Sequence, residues 1–119
     1  PNKRLMREFD LEKRTTEFAK AVIRLCKALP CNSINNRLID QVVGASGSVG
    51  ANYREANDSL GKNDFKQRMR ISRREAKESL HWLELMAEAN KEKEALIKPL
   101  LKEADELKRI LSSIIDKFK

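Results

Sequence analysis

An all-α fold, an antiparallel up-down-up-down four-helix bundle, is what this sequence predicts. Three observations carry the prediction. Only four glycines and three prolines occur in 119 residues, and three of the glycines fall between Val42 and Ala56, which leaves little turn material for a β fold. Charged residues make up 36% and hydrophobic residues 40%, a balance that suits amphipathic helices and not a disordered chain. Apolar residues recur at steps of three and four through four segments of similar length, joined by short polar connections. The length suits one domain over residues 1–119, with a core large enough to need no disulfide or metal.

The elements follow in order. Residues 1–8 are basic and polar and read as a flexible arm. Asp10 is a good N-cap with Phe9 before it as a staple, so helix one is expected over about 10–29. Its face is Leu11, Thr15, Phe18, Val22, Cys26 and Leu29, and Pro30 stops it. Helix two is expected over 33–60, with Leu38, Val42, Ala45, Val49, Asn52 and Ala56 as its stripe and Gly61 as the residue after its C-terminus. Asn63 or Asp64 caps helix three, expected over 64–90, where Phe65, Met69, Ser72, Ala76, Leu80, Leu83 and Ala87 form the cleanest heptad. Pro99 is tolerated in a first helical turn, so helix four is expected over 95–118, carried by Leu100, Ala104, Leu107, Leu111, Ile114 and Phe118. Leu25, Val43, Ile71, Trp82, Met86, Ile110 and Ile115 lie beside these stripes and point to self-association through a second apolar edge.

Gly44, Gly47 and Gly50 invite a phosphate-loop reading, which their spacing refuses. Three-residue steps match neither the dinucleotide fingerprint nor the Walker pattern, no Lys-Ser or Lys-Thr pair follows, and no clear strand precedes. The helical stripe runs straight through them. Each interior glycine costs about 0.8–1 kcal/mol against alanine, so close packing of another helix is the expected compensation. Asn52 falls on the core stripe with Ser48 and Glu55 one turn away on either side. These three are expected to form a structural polar core that fixes helix register, or else a site facing an oligomer axis or ligand.

Catalytic and metal chemistry find few residues. Glu78 and His81 make half of a di-iron Glu-x-x-His pair, but His81 is the only histidine. Cys26 lies on an apolar face and Cys31 in the following loop, too few ligands for zinc and consistent with a reducing cytoplasm. Asp105 and Glu106 lie on a polar helix face. No nucleophile–base–acid set appears, so no enzyme, cofactor or metal is expected. No apolar run approaches a membrane span, the N-terminal residues lack the apolar segment of a signal peptide, and the missing initiator Met points to trimming.

Charge supplies the main functional signal. The net charge is +7, and from Lys62 to Lys77 there are seven basic residues against two acids. Lys62, Lys66, Arg70, Arg73 and Lys77 fall at helical spacing, with Arg74 beside them, as a stripe next to the core face. Such a stripe can bind the phosphate backbone of RNA or another polyanion. It can equally be a solvated face with salt bridges to neighbouring acids, or pair with glutamates across a subunit interface. Little aromatic interleaving is visible, so base stacking is not expected.

The residues Leu38-x-x-Gln41, Ala45-x-x-Ser48-Val49-x-Ala51-Asn52-Tyr53-x-Glu55-Ala56, Phe65, Arg70 to Ser79, Trp82-Leu83 and the tail from Lys102 to Ile115 resemble the bacterial 23S rRNA-intervening-sequence proteins. The resemblance implies a homopentamer of four-helix bundles without enzymatic activity. It extends to accessory proteins of diversity-generating retroelements, and so implies an alternative role as a scaffold recruiting a nucleic-acid enzyme such as a reverse transcriptase.

Overall fold

The structure, a computed structural model, describes the backbone of residues 3–118 and the side chains of residues 11–118. Its helices are α1 Lys3–Ala28, α2 Ser33–Asn57, α3 Lys62–Ala89 and α4 Glu94–Asp116, with a 3-10 turn at Lys91–Lys93 leading into α4. Each helix packs on its chain neighbours and α4 closes back on α1, which is the expected four-helix bundle. No helix among the described residues is long and apolar enough to cross a membrane.

Most corners form as their residues dictate, with shifts at the ends. α1 starts at Lys3 and so takes in most of the segment expected as an arm. The side chains of Phe9 and Asp10, expected as staple and cap, lie outside the described residues. Pro30 follows α1, and the Asn32 side chain accepts the Asn35 backbone N–H at 2.8 Å to cap α2. α2 ends at Asn57, short of the expected 60. The Asp58 N–H returns to the carbonyls of Arg54 and Glu55 at 3.2 Å each, a tightened last turn that needs no left-handed residue. Gly61 therefore does not close α2. Its φ of −164° is extended, and it stands as the N-cap of α3, which places Asn63 and Asp64 inside the first turn. α4 begins at Glu94, so Pro99 sits beyond the first turn and leaves the Ala95 carbonyl without its helical donor. Both residues are exposed, which opens that carbonyl to solvent.

The core combines large apolar side chains with small residues. The whole expected face of α1 is buried, with Leu25 added. On α2 Val42, Ala45, Val49 and Ala56 are buried as expected, and the stripe departs by one residue at a single turn. Tyr53, 1% exposed, occupies the core position expected for Asn52. Its ring brings far more apolar surface than an amide, and one residue is about 100° of helix rotation. Leu38 is only half-buried, while Asn35 is enclosed. In α3 and α4, Met86, Ile97 and Ile115 are buried, whereas Leu80, Ala87, Leu100, Ile114 and Phe118 are half-buried. The second apolar edge is thus largely absorbed. Leu25, Met86 and Ile115 enter the chain's own core, and of that set only Val43 is exposed.

The expected polar core of Ser48, Asn52 and Glu55 does not form within the chain. Glu55 is exposed, and the half-buried Asn52 donates to the Ser48 backbone carbonyl of its own helix at 2.9 Å. A buried amide pair exists elsewhere. Asn35 on α2 donates to Asn90 Oδ1 at 2.9 Å and to the Pro30 carbonyl at 2.9 Å. Asn90, at the end of α3, donates back to Asn35 Oδ1 at 2.8 Å and to the Met86 carbonyl at 3.0 Å. All four amide hydrogens are matched, so the pair fixes how α2 and α3 align at no cost in orphaned groups.

The glycines divide. A Cβ on Gly50 would lie 2.8 Å from Thr15 Oγ1 and 3.2 Å from Thr15 Cβ, so α1 and α2 touch through that missing methyl. Thr15 cannot easily yield. Its hydroxyl is anchored on the Leu11 carbonyl at 2.7 Å, and its β-branch restricts χ1. Gly44 and Gly47 meet nothing within 4 Å and are exposed. The close packing expected at all three holds only at Gly50.

Two outcomes are expected. Gly50→Ala lowers stability by about 1–3 kcal/mol despite better helix propensity. Adding Thr15→Ala recovers part of the loss, and in dilute protein Gly44→Ala and Gly47→Ala each gain about 0.8–1 kcal/mol. Urea unfolding of the variants checks this. Asn35→Leu and Asn90→Leu should each cost about 1–3 kcal/mol by stranding the other amide, with the double variant much milder than their sum. An additive double-mutant cycle would show that the pair carries no coupling.

Candidate nucleic-acid interface

Helix α3 buries Met69, Ser72, Ala76, Ser79, Leu83 and Met86 and so turns the intervening positions outward. Those positions carry the expected basic stripe. Lys62, Arg70, Arg74 and Lys77 are exposed, while Lys66 and Arg73 are partly covered. Elsewhere several cations are tied down, although Arg24, Arg37, Lys98 and Lys102 form no salt bridge among the described residues either. Arg14 on α1 grips Glu103 on α4 through two bonds of 2.7 Å and reaches Glu106 at 3.1 Å. Arg54 on α2 holds Glu12 at 3.0 Å, and Asn57 donates to the other oxygen of the same carboxylate. Lys108 and Arg109 both hold Asp105, and the Lys108 bond keeps that carboxyl below its usual range. The acids Asp105 and Glu106 are therefore partners of cations and not a pair of their own.

Arg68 reaches Asp64 at 3.8 Å, but none of Lys62, Lys66, Arg70, Arg73, Arg74 or Lys77 forms a salt bridge among the described residues. The salt-bridged face weighed from the sequence does not form among the described residues. Glu75, amid the stripe, is partly covered. Burial and then Glu78 raise its carboxyl above the ordinary value, while Arg74 acts the other way.

Four of the six stripe residues come together. Arg70, Arg73, Arg74 and Lys77 line an open groove of about 740 Å³ whose walls all belong to α3. Lys66 is outside it. Lys62 instead lines a second cleft, about 660 Å³, at the α2–α3 corner beside Phe65 and Phe118. The rings of that pair lie 4.8 Å apart. The groove also takes in one acid, Glu78, and residues that the charge pattern alone does not single out: Ile71, His81 and Trp82. His81 meets Trp82 edge-on at 4.9 Å, and the Trp82 indole N–H is shielded from solvent with no hydrogen-bond partner among the described residues. The signal was present in the spacing, since His81 follows Arg70, Arg74 and Lys77 at eleven, seven and four residues along one helical row.

The remaining candidates are simple in position. Burial pushes the Cys26 thiol up to about 11, and Cys31 is exposed; both are free. Among the described residues no group of three or more His, Cys, Asp or Glu side chains is placed to hold a metal.

The comparisons with known proteins agree with this architecture. A crystal structure of a protein of unknown function, from the S23 ribosomal protein family of Bacteroides thetaiotaomicron VPI-5482, superimposes with a TM-score of 0.79 at 26% identity. The match covers 92% of this chain and 97% of that one. No functionally curated protein matches. The family model described as 23S rRNA-intervening sequence protein matches residues 7–113. With nearly the whole bundle inside that match, the chain belongs to the family of 23S rRNA-intervening sequence proteins.

Proposed function

We propose that this chain is a non-enzymatic, oligomeric bundle of the cytoplasm that binds RNA or another polyanion through the outer face of α3. One observation carries the reading: Arg70, Arg73, Arg74 and Lys77 share a groove and have no salt-bridge partner among the described residues. Guanidinium groups left without carboxylates match phosphate oxygens through their planar fork. Cys26 is held protonated by burial, and Asp105 and Glu106 are held by cations.

Assembly rests on a different face. Gly44, Gly47 and Ala51 lie exposed along one side of α2 and present a nearly smooth backbone. Glycines there weaken the helix without serving any contact inside the chain, which fits close approach by another copy. The homopentamer implied by the family resemblance is the assembly proposed. A scaffold that recruits a nucleic-acid enzyme such as a reverse transcriptase is the second reading. Leu60, fully exposed (102%) beside the Phe65–Phe118 cleft, favours it.

Gel-shift titration with generic RNA tests the first reading. Affinity should fall as salt rises, and each of Arg70→Glu and Arg73→Glu should flatten the log–log slope by about 0.7–0.9 for every phosphate it ceases to neutralise. Salt-independent binding, or binding untouched by both reversals, rules it out. For assembly, Gly47→Arg should reduce the mass seen by light scattering toward that of the single chain; an unchanged mass removes the α2 face from the interface.

A further inference from the structure

We infer that the α3 groove takes single-stranded nucleic acid, with His81 and Trp82 receiving an unpaired base while Arg70, Arg74 and Lys77 hold the adjoining phosphates. The inference rests on the polyanion reading above and adds the kind of polyanion.

A stripe of cations by itself attracts any phosphate backbone and does not tell a duplex from a single strand. The groove is more than a stripe. Against the expectation from the sequence that bases do not stack here, it joins those cations, with Glu78 among them, to an exposed imidazole and a partly exposed indole, set edge-on 4.9 Å apart. Aromatic faces beside a basic track are what single-strand binders use, because only an unpaired base has a free face to stack. A duplex keeps its bases stacked on one another and meets such a surface through its phosphates alone.

Two further features point the same way. About 740 Å³ of open groove accommodates several groups at once, so a phosphate run and a base need not compete for the same space. The indole N–H of Trp82 has no acceptor among the described residues and is shielded from water, an uncommon state for a native polar group. A base or phosphate oxygen that reaches it supplies an acceptor. Ile71, half-buried on the same wall, gives the base an apolar edge to rest on.

Trp82 is the only tryptophan, so its fluorescence reports this groove directly. The experiment titrates the full chain with a single-stranded oligoribonucleotide and with a duplex of equal length, following both anisotropy of the labelled nucleic acid and tryptophan emission. The expected result is about five-fold or greater preference for the single strand, quenching of Trp82 at saturation, and about five-fold or greater loss of that preference in His81→Ala. Trp82→Phe keeps the packing and serves as a second variant, in which the single strand still binds but the duplex gap narrows. Equal affinity for the two forms, unchanged tryptophan emission at saturation, or a His81→Ala chain that discriminates as the native one does, each overturns the inference. Failure of the polyanion reading looks different: Arg70→Glu and Arg73→Glu then leave the binding of both forms unchanged.

Discussion

The distance between α2 and its two neighbours is the constraint on which the rest of the molecule depends. On one side Gly50 lets α2 press against Thr15 of α1 with no room for a methyl group. On the other, the Ser72 hydroxyl of α3 donates to the Val49 carbonyl at 2.7 Å. That carbonyl belongs to an α-helical turn and uses its second lone pair for the serine. Such a bond is possible only between backbones brought close by small residues, and Ala45, Ala56, Ala76 and Ser79 are small and buried. The large side chains, Tyr53, Met69, Leu83 and Leu107, then fill the core that this spacing leaves.

Polar groups inside the bundle divide the task of specifying it. The hydroxyls of Thr15, Ser72 and Ser79 return to backbone carbonyls and add no demand for water. The Asn35–Asn90 pair does more, because each amide is the other's partner across two helices. Apolar contacts tolerate sliding of one helix along another, and a reciprocal amide pair does not. Arg14 and Glu12 give α1 its lateral position, reaching α4 and α2 from opposite sides. These pairs are partly exposed, so their value lies in orientation more than in stability.

Function and fold draw on separate surfaces of α3. Its inward row is needed for packing against α2 and α4, which leaves the outward row free of structural duty. The cations that steady the fold sit on α1, α2 and α4 and are matched by acids, while those of the α3 groove are not. The carboxylates beside the groove cations, Glu75 in the stripe and Glu78 in the groove lining, form no salt bridge with them among the described residues. The raised carboxyl of Glu75 reflects burial and Glu78 more than capture by Arg74.

The all-α class, the four helices, the complete buried face of α1 and the basic run on α3 were all legible in the amino-acid order. Each of these rests on short-range periodicity, composition or a breaker such as Pro30, which a chain shows without folding. Packing alone settled which of three equally spaced glycines is tight, because Gly50 differs from Gly44 and Gly47 solely by what stands opposite. It also moved the register device from Asn52 to Asn35 and Asn90, residues fifty-five apart whose pairing no local pattern encodes. Tyr53 took the core position because its ring buries more apolar surface than the amide beside it, a competition settled by the space between helices. The grouping of Arg70, Arg74 and Lys77 with His81 and Trp82 was written in the helical spacing, but that no salt bridge reaches these cations among the described residues is a fact about how the four helices sit together.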